Sequence, residues 1–281
     1  MAITASQVKE LREMTGAGMM ECKKALTEAD GNMDTAVDLL REWGLASVAK
    51  KAGRSTNEGT VMAVVSADAT SGAVIELNCE TDFVGMNEKF KGYAEKIAKI
   101  ELETKSLDAE TLKTDPVVQE IITDCIHVMG ENTQLSRAAY MEGQAVCSYI
   151  HMGGKIGVLV KFDVEGIDPA SDAFQAYGRD VAMQVAALNP VAPNREAVPA
   201  DIVAKEMEIY KAQAAQSGKP ENIQEKIATG RMEKYYAENC LTEQDFVKDG
   251  DMTVREYTDK TAKELGGAIK VVDFVRFALG E

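Results

Sequence analysis

The sequence predicts an α+β fold with three parts: a small helical domain at the N-terminus, a duplicated α+β core of two subdomains, and a protruding antiparallel helical hairpin. The helical spacing of apolar residues predicts the first part. A strand–turn–strand–helix pattern that occurs twice predicts the second, and two amphipathic runs around a Gly-Lys-Pro turn predict the third. The predicted boundaries are 1–55 for the helical domain with its linker, 56–140 for core subdomain N, 141–189 with 241–281 for core subdomain C, and 190–240 for the hairpin.

The N-terminal domain is predicted to contain three short helices. The first begins at a capping box, in which the side chains of Thr4 and Gln7 satisfy free backbone N–H groups. The second spans 19–29, and the third follows a cap at Asn32 or Asp34. Three short helices bury little surface each, so we expect some apolar side chains to remain exposed.

Two adjacent methionines, Met19 and Met20, follow a Gly-Ala-Gly turn at the start of the second helix. Exposed methionines suit adaptable contact with another protein. The alternative is that both are buried in the core of the domain. The basic and then polar segment 46–59 is predicted to be a linker.

An internal duplication is the most informative feature of the core. Residues 58–65 begin with Glu-Gly and enter an apolar strand pattern, and residues 142–149 do the same 84 positions later. A second strand follows in each copy, and then a helix with Phe, Tyr and Ile or Val on one face, at 90–98 and 174–182. Each copy therefore predicts strand, turn, strand and helix, which makes two related α+β subdomains.

The two copies differ where the second strand connects to the helix. Only the first copy places an acid and an aromatic residue together, as Asp82 and Phe83. If packing alone required this pair, the second copy should carry something similar at 163–169. The asymmetry favours a role in recognition, although Asp82 could also be the N-cap of the helix that runs through Phe90.

The rest of the chain predicts further helices and a closing strand. A helix begins at Asp115 and Pro116. Helical runs at 200–216 and 221–240 face each other across Ser217-Gly218-Lys219-Pro220, which predicts the hairpin. An alternating segment at 268–277 predicts a final strand that returns to the sheet of the second subdomain.

Composition and charge exclude several classes of protein. The net charge is -15, and the whole acidic excess lies beyond residue 55, so we expect no nucleic-acid partner. The apolar runs are strand-sized and the N-terminus has no secretory core, which predicts a cytoplasmic chain without a membrane partner. Five cysteines without a C-x-x-C pair favour free thiols in a reducing compartment. A protein partner fits this composition best.

The sequence offers little that would support catalysis or a cofactor. His127 falls in an apolar helix and is expected to be a hydrogen-bonded structural residue. His151 lies at a turn without a second ligand at metal spacing, so no metal and no cofactor are expected. The Gly-Gly-Lys of this turn lacks the rest of a phosphate loop. Cys147 lies near His151 in sequence, but this spacing is not a recognised nucleophile motif, and we do not expect an enzyme.

Five segments spread over essentially the whole chain carry a family resemblance. They are residues 11–26 (LREMTGAGMMECKKAL), residues 49–54 (AKKAGR), Thr81-Asp82-Phe83-Val84, Ser217-Gly218-Lys219-Pro220 with Gly230-Arg231-Met232, and Gln244-x-Phe246-Val247. Together they resemble the elongation factor Ts family of bacterial translation. The resemblance implies a ubiquitin-associated-like N-terminal domain and a coiled-coil hairpin. It also implies a guanine-nucleotide exchange factor that binds elongation factor Tu, GDP-bound or nucleotide-free, and promotes GDP release; a dimer of the complex is left open.

The resemblance also implies which residues act on the partner. The motif that disturbs the partner's Mg²⁺ and phosphate site comprises Thr81, Asp82, Phe83 and Val84, with Phe83 as a wedge. The implied partner-binding residues are Arg12, Met19, Met20, Lys23 and His151. The Met-Gly-Gly turn after His151 departs from the shorter turns of the family.

Two hypotheses from other classes remain as alternatives. In the first, the N-terminal domain makes the chain an adaptor that binds a protein without accelerating nucleotide release. In the second, Cys147 and His151 form a thiol enzyme. The role of Asp82 also has two interpretations, since it can repel the leaving phosphates or orient the loop as a cap.

Overall fold

The computed structural model describes residues 3–106 and 108–281, and its first part is a bundle of three helices. They are α1 (Ala5–Thr15), α2 (Met19–Glu28) and α3 (Met33–Lys51). The predicted capping box at Thr4 and Gln7 is present, and Asn32 caps α3 by accepting from the Thr35 backbone N–H. Leu11, Leu26 and Leu40 belong to the buried core of this bundle.

The first half of the core is a three-stranded antiparallel sheet covered by helices. Its elements are β1 (Glu58–Val65), β2 (Ser71–Cys79), α4 (Asp82–Gly85), α5 (Glu88–Thr104), α6 (Ala109–Leu112), α7 (Pro116–Met129) and β3 (Gln134–Glu142). The strand order is β1-β2-β3. Ile75, Leu77 and Phe90 are fully buried between the sheet and its helices.

The second half of the core repeats this order with an insertion. Its elements are β4 (Ala145–His151), β5 (Ile156–Glu165), α8 (Asp172–Leu188), α9 (Ala200–Ala215), α10 (Glu221–Asn239), β6 (Asp245–Phe246), β7 (Asp249–Thr253), α11 (Val254–Leu265) and β8 (Ala268–Ala278). The strand order is β4-β5-β8, so the last strand joins the second sheet as predicted. The helices α9 and α10 pack against each other as a pair, and β6 and β7 form a small ribbon.

The two sheets pack face to face, and the helices cover their outer faces. Val61 and Val74 of the first sheet share a buried cluster with Val146 and Leu159 of the second. On the opposite faces, α5 packs on β1 and β2, whereas α8 packs on β4 and β5. The molecule therefore combines helices with antiparallel sheets, which confirms the α+β prediction.

The structure corrects the register of the duplication in its first strand. Met62 pairs with Ile75, and Cys147 pairs with Val160, so these two residues are equivalent and lie 85 positions apart rather than 84. A slip of one residue would turn every side chain to the other face of the sheet. Both sheets also carry a register shift at matching positions, between Glu76 and Leu77 and between Lys161 and Phe162.

Two local expectations were wrong. The linker is shorter than residues 46–59, because α3 continues through Lys51 and β1 begins at Glu58. Asp82 is not a cap: the side-chain oxygen of Thr81 accepts from the Val84 N–H to begin α4, and Asn87 caps α5. Over residues 3–106 and 108–281, no helix is both long enough and apolar enough to cross a membrane.

Candidate functional site

The aromatic residue of the Asp82–Phe83 pair lies almost wholly outside the protein. Phe83 is 80% exposed, more than any other large hydrophobic side chain in the described part of the chain. Its neighbour Val84 packs against the core of the first sheet, so α4 is fixed on one side and presents Phe83 on the other. An exposed aromatic ring on a fixed element is suited to insertion into a partner.

The underside of α4 lies directly on the first strand. A Cβ placed on Gly85 would lie 2.7 Å from the carbonyl oxygen of Gly59. No real side chain fits at that distance, so glycine allows the helix and the strand to touch. Gly59 itself has a φ of 148° and lies against Leu77, where a Cβ would be only 2.2 Å from the backbone oxygen.

The chain that enters α4 is held by hydrogen bonds to two carboxylates. Glu131, just after α7, accepts from the backbone N–H groups of Glu80 and Thr81 at 3.0 Å each and from the Thr81 hydroxyl at 2.6 Å. In return, the Glu80 carboxylate accepts from the Asn132 N–H at 2.7 Å and from Arg54 at 3.3 Å. The Asn132 bond is the main reason that the pKa of Glu80 lies below its usual value.

The carboxylate of Asp82 points into solvent. Asp82 is the first residue of α4, where a negative charge is favourable beside the free N–H groups of a helix. Within residues 3–106 and 108–281 its side chain makes no hydrogen bond or ion pair. The position leaves this carboxylate available beside Phe83.

The predicted contact residues of the N-terminal domain are exposed together. Met20 is 74% exposed and Met19 is 55% exposed, which decides against the core alternative for this pair. Arg12 and Lys23 are also exposed, on α1 and α2. Exposed methionine and basic side chains on a small helical bundle suit contact with a protein.

The turn that follows His151 is anchored on the first sheet. The carbonyl oxygen of Gly154 accepts from the Val61 N–H at 2.7 Å, and a Cβ on Gly154 would lie 2.0 Å from the Thr60 hydroxyl oxygen. His151 is half-buried, and its Nδ1 lies 2.9 Å from the Tyr149 hydroxyl. The tip of the turn, Met152, is 72% exposed.

Two elements connect these three groups of residues. The start of β1 supports both α4, through Gly59, and the His151 turn, through Thr60 and Val61. The end of α7 contacts the N-terminal domain, because the Nε2 atom of His127 lies 3.6 Å from a Glu21 carboxylate oxygen. Glu131 then follows α7 and holds the chain before α4.

The expectation that His127 is hydrogen-bonded was wrong for one of its ring nitrogens. Its Nε2 is buried and has no hydrogen-bond partner among the described residues. His127 lies at the junction of α7 with the N-terminal domain, close to Gly44 of α3. The nearby acid Glu21 is too distant for a hydrogen bond.

The structure argues against a thiol enzyme at Cys147. The side chain is 1% exposed on the helix-facing side of β4, and burial raises the pKa of its thiol to about 12. A neutral, buried thiol is a poor nucleophile. Across the described ranges, no group of three or more His, Cys, Asp or Glu side chains is arranged to hold a metal ion.

Sequence patterns alone did not find the supporting residues of the site. Glu131 lies 50 positions from Thr81, and Gly154 lies far along the chain from Thr60, so only the fold brings them together. The sequence did contain one signal, a glycine at the end of the helical run of α7. Gly130 ends this helix with a φ of 78° and so fixes the direction of the residue that follows.

The exposed side chains on α4, α2 and the His151 turn are those of the predicted contact surface, which is typical of a protein that binds another protein. Comparison with known families makes the class specific. The family model described as Elongation factor TS matches residues 80–281. The chain belongs to the elongation factor Ts family, and it therefore has a role as a translation elongation factor in protein biosynthesis, with nucleotide exchange as the activity of that family.

Similar curated proteins cover almost the whole chain. A protein named Elongation factor Ts from Clostridium botulinum is 49% identical over 99% of this chain and 93% of its own length. Another of the same name, from Trichlorobacter lovleyi, is 47% identical over 100% of this chain and 94% of its own length. The similarity thus includes the N-terminal helices that precede the matched family model.

Proposed function

We propose that this chain is a guanine-nucleotide exchange factor that binds elongation factor Tu in its GDP-bound and nucleotide-free states. It promotes GDP release by disturbing the Mg²⁺ and phosphate site of the partner, and it catalyses no covalent chemistry of its own. One observation carries the proposal: Phe83 is 80% exposed on a four-residue helix whose entry and underside are both held by the core.

Binding of the exposed ring to the partner can be coupled to the release of the partner's nucleotide. A factor that binds its partner more tightly without nucleotide must weaken nucleotide binding by the same ratio. Mg²⁺ is the largest local positive charge near a bound diphosphate, so displacing its ligands loosens the phosphates. Phe83 would insert as the wedge, and the free carboxylate of Asp82 would face the negative phosphates beside it.

The other predicted contacts would orient the wedge. The N-terminal domain, of the ubiquitin-associated-like type, contributes Arg12, Met19, Met20 and Lys23 to the nucleotide-binding domain of the partner. The turn at His151 would bind a further domain of the partner from the second half of the core. The α9–α10 pair would be the coiled-coil hairpin of the family. Cytoplasmic location and the absence of nucleic-acid and membrane partners complete the proposal.

A direct experiment is the release of a fluorescent GDP analogue from elongation factor Tu, followed by stopped-flow with and without this chain. The expected result is release that becomes faster as the chain concentration rises and then saturates. Release at the spontaneous rate, with a stable complex detected by sedimentation, would instead make the chain an adaptor and refute the proposal.

A further inference from the structure

We propose that Glu131 is the positioning residue of the exchange motif: its carboxylate holds Thr81, and so fixes the helix that presents Phe83. This inference rests on the proposed function, because it assigns the residue that prepares the wedge. Glu131 makes this contribution from within the protein, through three hydrogen bonds to the chain that enters α4.

The helix that carries Phe83 cannot fix itself. α4 has only four residues, and isolated helices of that length are not stable in water. The direction of an 80% exposed ring therefore depends on what holds the two ends and the underside of the helix. Val84 and Gly85 hold the underside of α4 against the core. The segment that enters the helix, Glu80 and Thr81, needs a separate anchor.

Glu131 uses both of its carboxylate oxygens to hold the entry. Oε2 accepts from the backbone N–H groups of Glu80 and Thr81, whereas Oε1 accepts from the Thr81 hydroxyl. The Thr81 hydroxyl oxygen is also the cap of α4, since it accepts from the Val84 N–H at 3.4 Å. Fixing this hydroxyl thus fixes the first turn of the helix, and bonds to a charged acceptor are stronger than neutral ones.

The second copy of the duplication has no residue like Phe83, and it differs from the first copy at the position equivalent to Glu131. Gly130 and Gly266 end equivalent helices with φ values of 78° and 75°. The next residue is Glu131 in the first copy and Gly267 in the second. A Cβ on Gly267 would lie 2.1 Å from the carbonyl oxygen of Glu165, so backbone packs directly on the strand end. Only the copy with Phe83 carries a carboxylate at this position.

The residues next to these bonds also connect the motif to the linker that follows the N-terminal domain. Asn132, the next residue, donates from its side chain to the carbonyl oxygen of Arg54 in the linker at 2.8 Å. Arg54 in turn contacts the Glu80 carboxylate. The bonds around Glu131 therefore set the position of α4 relative to the linker, as well as to the core.

The test is the saturation curve for release of a fluorescent GDP analogue from elongation factor Tu. Glu131→Ala is expected to lower the maximum release rate about tenfold, with a half-saturating concentration close to that of the unmodified chain. A partly unfolded variant behaves differently, since a smaller active fraction raises the half-saturating concentration and leaves the maximum rate unchanged. The surface variant Glu110→Ala, which loses only an exposed pair with Lys113, is the matched control and should be unchanged.

A double variant tests whether Glu131 acts through Phe83. If it does, Phe83→Ala/Glu131→Ala will release GDP no more slowly than Phe83→Ala alone. Glu131→Gln should keep most of the rate, because its amide oxygen can still accept from both backbone N–H groups. A Glu131→Ala maximum rate equal to that of the unmodified chain, or a further loss in the Phe83→Ala background, would overturn the inference.

Failure of the proposed function gives a different result. In that case the unmodified chain itself leaves GDP release unchanged. The anchoring can still be measured by amide hydrogen exchange in the isolated chain, where the Thr81 N–H is expected to lose protection in Glu131→Ala and to keep it in Glu110→Ala. Unchanged protection at Thr81 would refute the anchoring whatever the outcome for release.

Discussion

The two copies of the core have one framework and different connections. Each pairs a hairpin with a third strand, carries a register shift at the matching point of its central strand, and covers the sheet with a helix of 17 residues. Each helix also directs a tyrosine hydroxyl to the helix before the third strand, from Tyr93 to Asp124 and between Tyr177 and Thr258. The copies diverge between the second strand and the helix, where only the first has α4.

The difference shows which parts of this fold can vary while the core is kept. Strand pairing and helix packing are shared, because any change there moves the whole core. The connections lie at the surface and can change without that cost. The first copy uses its connection to expose Phe83 and a carboxylate to hold it, whereas the second closes the same gap with Gly267.

The largest effect is expected from removal of the exposed ring, which removes the main functional difference between the copies. Phe83→Ala should slow GDP release from elongation factor Tu about thirtyfold or more, since a buried hot-spot aromatic contributes about 2–4 kcal/mol to an interface. The fold should be unaffected, because the ring is 80% exposed. Stopped-flow release and the melting temperature measure the two parts of this prediction.

A matched control for Phe83 is present in the second copy. Leu188, at the end of α8, is 47% exposed and belongs to none of the predicted contact groups. Leu188→Ala should leave release unchanged. Equal losses in the two variants would mean that exposed apolar surface in general, and no particular ring, drives the exchange.

Helix glycines test how tightly each copy is packed. A Cβ on Gly178 of α8 would lie 2.1 Å from the Cys147 Sγ, so Gly178→Ala is expected to destabilise the chain by about 1–3 kcal/mol through overpacking. Gly92 of α5 has no atom within 4 Å of such a Cβ, and Gly92→Ala should stabilise by about 0.5–1 kcal/mol through the backbone. Calorimetric melting of both variants measures the effects. Changes of the same sign would refute this account of the packing.

The sequence predicted the repeated framework but not the register in which the strands of the two copies correspond. Apolar spacing was enough for the α+β class, the capped helices and the final strand at Ala268–Ala278, since these depend on local pattern. The register of the first strand was wrong by one residue because Glu-Gly at 58–59 and at 142–143 gave a false match. Met62 and Cys147 share a place in the sheets but no chemical likeness, so no pattern could align them.

The sequence singled out the Asp82–Phe83 pair as a candidate motif, but it did not identify the residues that support the pair in the fold. The asymmetry of the copies identified Asp82 and Phe83. The alternative in which Asp82 caps the helix through Phe90 was wrong, because Asn87 caps that helix and Thr81, which also has a side-chain oxygen, caps α4. Contacts between distant segments, such as Glu131 with Thr81, depend on tertiary structure that a single sequence does not specify.

Variants in the turn after His151 test whether contact between the two copies, through this turn and β1, matters for binding. Gly153→Ala and Gly154→Ala both place an alanine at positive φ, 67° and 112° respectively. Only the alanine at position 154 would also clash with Thr60. The resulting strain of about 1–3 kcal/mol should displace the turn from β1. The expected result is weaker binding to elongation factor Tu for Gly154→Ala than for Gly153→Ala, measured by titration calorimetry. Equal affinities would show that docking of the turn on β1 does not matter for binding.

The smallest effect is expected from acid, which should loosen the connection of the first copy and spare that of the second. The pKa of Glu80 is lowered in the folded chain, first by the Asn132 N–H, so its stabilising contribution is present above the ordinary carboxylate pKa of about 4.3. That contribution is lost as the pH falls through the lowered folded value.

The equivalent turn of the second copy depends on a backbone bond from the Gly267 N–H to the Ala262 carbonyl oxygen, which does not titrate. Protection factors from amide exchange at pH 6 and below pH 4 should therefore fall at Asn132 and stay constant at Gly267. A parallel fall at both amides would mean that acid opens the core as a whole, and that the carboxylates do not set the difference between the copies.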